Sequence, residues 1–418
     1  MKKDFLYVVL ASALPALGNF VAVALALRHL DPDWLGRSYA LLAFFYIAID
    51  LFNFGSPRIF TIDRVRSKVS TLIFLDVASA VGSTIVFASI THFIAQRGLV
   101  AEPRFACSLL IAPACFGLSH FSLGVLRLYG RSAVVCAVST VSAFSRVAVV
   151  WLIVARPGLQ PMLPDLLLLV EAGYGAMLLL TYLVTVVSGN TYVGDFDASP
   201  AGAGRFNPWT FGYLAFLKEH RKEILGSWYS NAVFSGAKHA DIMLVTLVLG
   251  PSAAALYRGV KSVHNLAFNS GQAFALVVAS KLGGAMSSLR RVRRALFALA
   301  AVGGVALVAS TSWVALRVHL FPTASLGEPI RQFAFMFAAF LGAGVIFVCR
   351  IYSLHVFSID QRSFVRLSSL EAGASLLLVT MLSYGLGLIG ATLGPVLGGA
   401  LVLGLSARLS TKPIAVSA

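Results

Sequence analysis

The stretch KHADIMLVTLVLGPSAAALYRGVKSVHNLAFNSGQ, residues 238–272, decides the fold class. It holds two long apolar runs joined by the turn Leu249-Gly250-Pro251, and its polar residues are few and regularly spaced. With the residues just upstream, the first run carries Ser227, Asn231, Ser235, Lys238 and Asp241, in steps of 4, 4, 3 and 3. The second carries Arg258, Lys261, Asn265, Asn269 and Gln272, in steps of 3, 4, 4 and 3. Steps of three and four place each set on one face of an α-helix, whose other faces are apolar. Two adjacent helices of this kind belong in a bundle whose surroundings are hydrocarbon rather than water.

The rest of the chain reads the same way. Of 418 residues, 58% are hydrophobic and 12% charged, about half the charged share of an ordinary soluble domain. Runs long enough to cross a bilayer, ~20 residues each, occur at 5–27, 35–54, 71–95, 105–126, 133–155, 163–187, 224–247, 253–278, 295–316, 333–353, 367–386 and 388–406. The fold class is therefore an all-α integral membrane protein of about twelve transmembrane helices. The first run follows Met1-Lys2-Lys3 and is too long for a signal-peptide core, so it reads as a first span.

Thirty-three Lys and Arg stand against seventeen Asp and Glu. With the N-terminus inside, twenty-two cations fall in cytoplasmic segments, Arg350 among them, and seven in outer ones. That bias puts both termini in the cytoplasm. No basic stripe alternates with aromatics on a soluble module, so no nucleic-acid partner is expected. Cys107, Cys115, Cys136 and Cys349 lie in apolar segments without metal-ligand spacing and read as small buried residues. The sequence holds no Walker A, HExxH or GxSxG motif in a plausible context, and no outer loop long enough for a catalytic domain. Neither an enzyme nor a cofactor is expected.

The longest loop, 188–223, divides the spans six and six. The expected domains are an N-terminal lobe, 1–187, a cytoplasmic linker, 188–223, and a C-terminal lobe, 224–418, the two lobes of six helices each packed together. An internal echo supports two lobes. Leu30-Asp31-Pro32 after span one matches Leu249-Gly250-Pro251 after span seven at an offset of 219 residues.

Charges inside spans are costly, ~2.5–3.5 kcal/mol each on insertion scales, so they mark a bundle interior or an aqueous pocket. At ~1.5 Å per residue, Lys238, Arg258, Lys261, Arg146 and Glu171 fall at similar depth in the outer half of the bilayer. Lys238–Asp241 and Arg146–Glu171 can pair. Arg258 and Lys261 share a face and have no acid on their own span. They want an anion from another span or from a ligand, and the expectation favours an anionic substrate group. Tyr46, Asp50 and Asn53 form a polar face on span two. Asp76 and Glu371 lie near cytoplasmic span ends and are expected to be solvated. His120 and His264, lone imidazoles among apolar residues, read as hydrogen-bonded members of the bundle. Gly390, Gly394 and Gly398 repeat every four residues, a pattern for close helix contact.

Two stretches carry a family resemblance. LRHLDPDWLGRSYALLAFFYIAIDLFNFGSPRIF, residues 27–60, has an acidic-Pro turn, a Gly-x-x-Tyr-Ala entry to span two and a Gly-Ser followed by Arg at its far end. KHADIMLVTLVLGPSAAALYRGVKSV, residues 238–263, has a basic residue shortly before Asp, then Leu-Gly-Pro, then Tyr and a basic span eight. Together they resemble the polysaccharide flippase family of the multidrug/oligosaccharidyl-lipid/polysaccharide exporter superfamily. The resemblance implies two six-helix lobes that rock around a central cavity, by alternating access, in a bacterial inner membrane. It implies an undecaprenyl-pyrophosphate-linked oligosaccharide as substrate, with membrane lipid around the carrier tail. Polysaccharide polymerase and chain-length proteins would be partners, and a proton or sodium gradient the drive for uphill export. On this sequence it makes Lys238, Arg258, Lys261, Arg146 and Asn265 candidate substrate-binding residues, and Asp241, Glu171 and Asp50 candidates for ion coupling. The competing expectations are a cation-coupled multidrug antiporter of the sister branch and, behind it, a membrane glycan polymerase or ligase, against which the lack of a long outer loop counts.

Overall fold

The computed structural model describes residues 2–56, 69–128, 131–187, 217–282, 329–359 and 361–409, with a few positions between 301 and 312. The expected ninth span, 295–316, and most of the linker, 188–223, fall outside the described residues.

The described elements are α1 (Lys2–His29), α2 (Pro32–Phe52), α3 (Val69–Gln96), α4 (Ala106–Leu128), α5 (Ser132–Ala155), a 3-10 turn (Pro157–Met162), α6 (Leu163–Val187), α7 (Arg221–Leu249), α8 (Pro251–Leu282), α9 (Pro329–Ile359) and α10 (Gln361–Leu409). No strand occurs among the described residues. Seven of the described helices are long and apolar enough to cross a membrane, and Ala13–His29 is a shorter apolar helix. On α3, Phe74, Val77, Val81 and Ile85 are exposed at steps of three and four. Such an apolar stripe would promote aggregation in water and is the ordinary outer face of a helix in lipid.

The chain forms two compact units, 1–11 with 41–239 and 12–40 with 240–418. Their boundaries fall inside α1, α2 and α7. In the first unit α4 packs on α3 and α6, and α6 on α5. In the second, α9 packs on α8 and α10. The second unit's core joins Phe20 and Ala24 of α1 to Val260, Val263 and Ala267 of α8 and Phe335, Ala339 and Phe347 of α9.

The two echoed turns are built alike. Each puts a proline at the first position of the next helix, where its missing N–H costs nothing. Asp31 caps α2 by accepting from the Trp34 N–H at 2.8 Å, whereas Gly250 opens α8 with φ +88°, a conformation side chains disfavour. Both turns belong to the second unit and touch there. Ser252 Oγ lies 3.4 Å from Asp33 Oδ1, and these two residues are themselves 219 apart. Gly36 lies directly against the Pro251 carbonyl, where a Cβ has no room.

α10 breaks at Gly387 (φ 60°, ψ −137°), the position between the two last expected spans. Its arms, 361–386 and 388–409, run antiparallel. The glycine stripe sits on their seam: Gly390 faces Leu382, Gly394 faces Val379 and Gly398 faces Ser375. In lipid, where apolar burial no longer drives helix association, this backbone approach supplies the packing. Gly394→Leu would meet Val379 backbone atoms at 2.6 and 2.8 Å from the Cβ position alone. Overpacking of that kind costs about 1–3 kcal/mol, and the expected result is a lower melting temperature in detergent, with Gly404→Leu, which faces open space, unchanged.

Candidate functional site

Each unit holds its own buried polar network. In the second unit α7 and α8 antiparallel across the Gly250 turn bring Asp241 beside the first turns of α8. Asp241 is 3% exposed, and its Oδ2 accepts hydrogen bonds from Tyr257 Oη at 2.8 Å and from Lys261 Nζ. Lys261 and Asp241 form a salt bridge with both side chains buried. Asp241 Oδ1 is buried and has no hydrogen-bond partner. The anion that Lys261 wants is thus supplied by α7. Sequence spacing had put only Lys238 within reach of Asp241 on the same helix.

Arg258, 4% exposed, stands one turn before Lys261. Its guanidinium lies 5.3 Å above the Tyr39 ring, and Nη2 donates to Asn19 Oδ1 at 3.3 Å. Asn19 Nδ2 donates in turn to Ser262 Oγ at 3.0 Å. One amide therefore ties α1 to α8 at the level of the cation. Sequence reading passed over Asn19, an isolated amide in an apolar span; its only signal was the cost of a polar side chain at that depth. Asn265, next along the α8 face, is half-buried. The side chains of Ser227, Asn231, Ser235 and Gln272 fall outside the described ones.

Further along the second unit, Arg350 is 4% exposed and stacks 4.3 Å above Phe268. It was expected in a cytoplasmic segment, but α9 continues to Ile359 and carries it inside the bundle. Glu371 on α10, expected to be solvated, is half-buried and lies in the field of Arg350 and Lys261. His264 Nε2 lies 3.0 Å from the Ala339 carbonyl.

In the first unit Arg146 of α5 and Glu171 of α6 make a two-pronged pair. Nε donates to Oε1 and Nη2 to Oε2, each at 3.0 Å, and the exposures are 9% and 1%. Planar guanidinium against planar carboxylate is the strongest form of side-chain ion pair. Around it stand aromatic rings. Tyr46 stacks on His239 at 4.7 Å and meets Phe116 edge-on at 6.0 Å. Phe116 also contacts His120 and Tyr174, and Tyr46 and Tyr174 lie in the field of Arg146. Asp50 and Lys238, the other candidates of this unit, are half-buried.

Two further carboxylates of the first unit are structural. Asp76, expected at a solvated span end, is 4% exposed; it accepts from Ser56 Oγ and from the Phe121 N–H at 2.5 Å. Asp165, at the start of α6, ties down the segment that leads into α4: it accepts from the Arg104 and Phe105 N–H groups at 2.8 and 3.0 Å and from Ser108 Oγ in the first turn of α4 at 2.7 Å. No group of three or more His, Cys, Asp or Glu suited to a metal occurs among the described residues.

No protein-family model matches the sequence. No curated protein matches it either. The fold, by contrast, has solved counterparts. An inward closed conformation of the lipid II flippase MurJ superposes with a TM-score of 0.62 at 12% identity, covering 97% of this chain and 87% of that one. An outward-facing multidrug resistance MATE family transporter of the MOP superfamily gives 0.62 at 15% identity, with coverages of 97% and 93%. The Vibrio cholerae MATE transporter VcmN gives 0.61 at 12% identity, covering 98% and 95%. The chain is an all-α, multi-pass membrane protein with the fold shared by these MATE transporters and the flippase MurJ.

Proposed function

We propose that this protein carries an undecaprenyl-pyrophosphate-linked oligosaccharide across a bacterial inner membrane by alternating access. The observation that carries the reading is the buried pair of cations on one face of α8, Arg258 and Lys261. A diphosphate brings acceptor oxygens that offer both cations charge-assisted hydrogen bonds. Lys261 cannot simply trade Asp241 for a phosphate, since the buried carboxylate would lose its counter-ion; in this reading Asp241 takes a coupling cation in place of Lys261 as the diphosphate arrives. The carrier's isoprenoid tail needs no protein site, since lipid already solvates it. The fold's likeness to a lipid II flippase and the overall basic excess support the same substrate class.

A second reading has its own observation. Asp241 and Glu171 are buried carboxylates, and Glu171 lies among aromatic rings; organic cations bind such surroundings, and the MATE proteins of the same fold are multidrug transporters by name. Reconstituted vesicles separate the two. The protein is expected to expose a fluorescent undecaprenyl-pyrophosphate oligosaccharide to an external quencher, and to do so poorly when Arg258 and Lys261 are both replaced by Gln. Ethidium movement that requires Asp241 and Glu171, without any glycolipid movement, would assign the protein to the drug-antiporter reading instead.

A further inference from the structure

The first unit holds hydroxyl groups with no structural use. Ser139 and Ser142 of α5 are 0% and 1% exposed, and neither Oγ has a hydrogen-bond partner. Many other helical hydroxyls among the described residues turn back to a carbonyl three or four residues earlier, as Ser119 does to Phe116 at 2.7 Å and Thr140 to Cys136 at 2.8 Å, a common resolution in an apolar helix; Ser79 of α3 is another that does not. Ser139 and Ser142 forgo that bond. They lie on the face of α5 that carries Arg146, seven and four residues before it, so ~10 and ~6 Å away along the axis. His120 of α4, against the Phe116 ring, likewise has Nε2 buried without a partner. Buried polar atoms left unsatisfied carry a free-energy cost, and two such hydroxyls on one face of α5, with an imidazole nitrogen on α4, call for a partner outside the fold.

The neighbourhood fits one class of ligand. Tyr46, Phe116 and Tyr174 are half-buried and keep part of their ring surface exposed, one face of Tyr46 being taken by His239, whereas Phe45 and Phe87 are fully buried. Ring faces receive apolar C–H surfaces, and tyrosine adds a hydroxyl at its tip. The Arg146–Glu171 fork presents a rigid donor–acceptor pair in one plane. Single hydroxyls and an imidazole can each donate or accept. A ring with an apolar face and a rim of hydroxyls matches all of these features; a bare cation or a bare phosphate matches only some.

We infer that the first unit carries a saccharide subsite, in which the sugar lies on the Tyr46, Phe116 and Tyr174 rings and its hydroxyls bond to Ser139, Ser142 and His120. This deepens the flippase reading and rests on it: within the first unit, α4, α5 and α6 recognise the sugar of the lipid-linked saccharide.

The test uses the full chain in nanodiscs and two probes of equal charge, the methyl ester of geranylgeranyl diphosphate and geranylgeranyl diphosphate esterified to a sugar. The sugars are glucose, galactose and N-acetylglucosamine. The wild type is expected to bind at least one glycosylated probe about tenfold or more tighter than the methyl ester. Ser139→Ala/Ser142→Ala should cut that ratio below about threefold and leave the methyl-ester affinity unchanged. The same variant should melt about 1–3 °C higher without ligand, because it removes two unsatisfied hydroxyls. A role in packing alone predicts no change in the ratio. Equal binding of the methyl ester and every glycosylated probe would overturn the subsite while leaving the diphosphate reading standing. Binding of neither probe class would bring down the flippase reading and the subsite with it. Ethidium binding that weakens with the serine pair would reassign the lining to organic cations and also overturn the proposal.

Discussion

Glu171→Ala alone is expected to destabilise the protein by about 3–5 kcal/mol, and Arg146→Ala by a similar amount, because each leaves the opposite charge buried without its counter-ion. The pair is 9% and 1% exposed, so water cannot take the place of the lost partner. Arg146→Met combined with Glu171→Leu should recover most of that loss, ending within about 1 kcal/mol of the wild type or above it, since apolar residues of similar volume avoid the desolvation cost altogether. Thermal unfolding in detergent reads all three variants. A double variant as unstable as the singles would mean that the pair is needed by the fold, and would weaken the case that α5 and α6 keep their charges for a ligand. A double variant that is stable but no longer transports would show that function retains the pair.

How much of this was legible in the sequence depends on what kind of information each feature needed. Helix positions required only local hydropathy, and α5 and α6 begin and end within one residue of the expected spans. The break at Gly387 was legible because two span lengths had to fit into one apolar run. The Arg146–Glu171 pair was legible too, since depth along two antiparallel neighbours can be counted at a fixed rise per residue. Partner choice around Asp241 was not. Periodicity orders the residues on one helix but says nothing of the rotation of the next, so the match of Lys261 to Asp241 appeared only with the packed pair α7 and α8. Asp165 shows the same limit: its place in the first turn of α6 says nothing of the segment before α4, whose N–H groups it meets only in the tertiary structure. Arg350 and Asp76 were misplaced although both lie inside the expected spans 333–353 and 71–95: nearness to a span end was read as exposure, whereas burial there is set by neighbouring helices, and both are 4% exposed.

Exchanging the charges of the second pair, Lys261→Asp with Asp241→Lys, is expected to preserve folding while lowering diphosphate affinity by about 10–100-fold. The salt bridge survives the exchange in kind, so the uncompensated-charge penalty of either single change is avoided. What moves is the cation, from the α8 face it shares with Arg258 to α7, and with it one charge-assisted hydrogen bond of about 1.5–3 kcal/mol to the ligand. Tyr257 Oη, which donates to Asp241 at 2.8 Å, then has a lysine opposite it and must find another acceptor, so a modest fall in melting temperature accompanies the exchange. Equilibrium binding of the methyl ester of geranylgeranyl diphosphate gives the affinity, and melting in its absence gives the folding cost. Affinity retained in the exchanged protein would show that the position of the cation is immaterial and that Lys261 serves only to neutralise Asp241. Affinity lost together with the fold in the exchange, but lost alone in the milder Arg258→Gln, would still place the diphosphate on α8, because Asn19 and Tyr39 remain to hold a neutral side chain at that position.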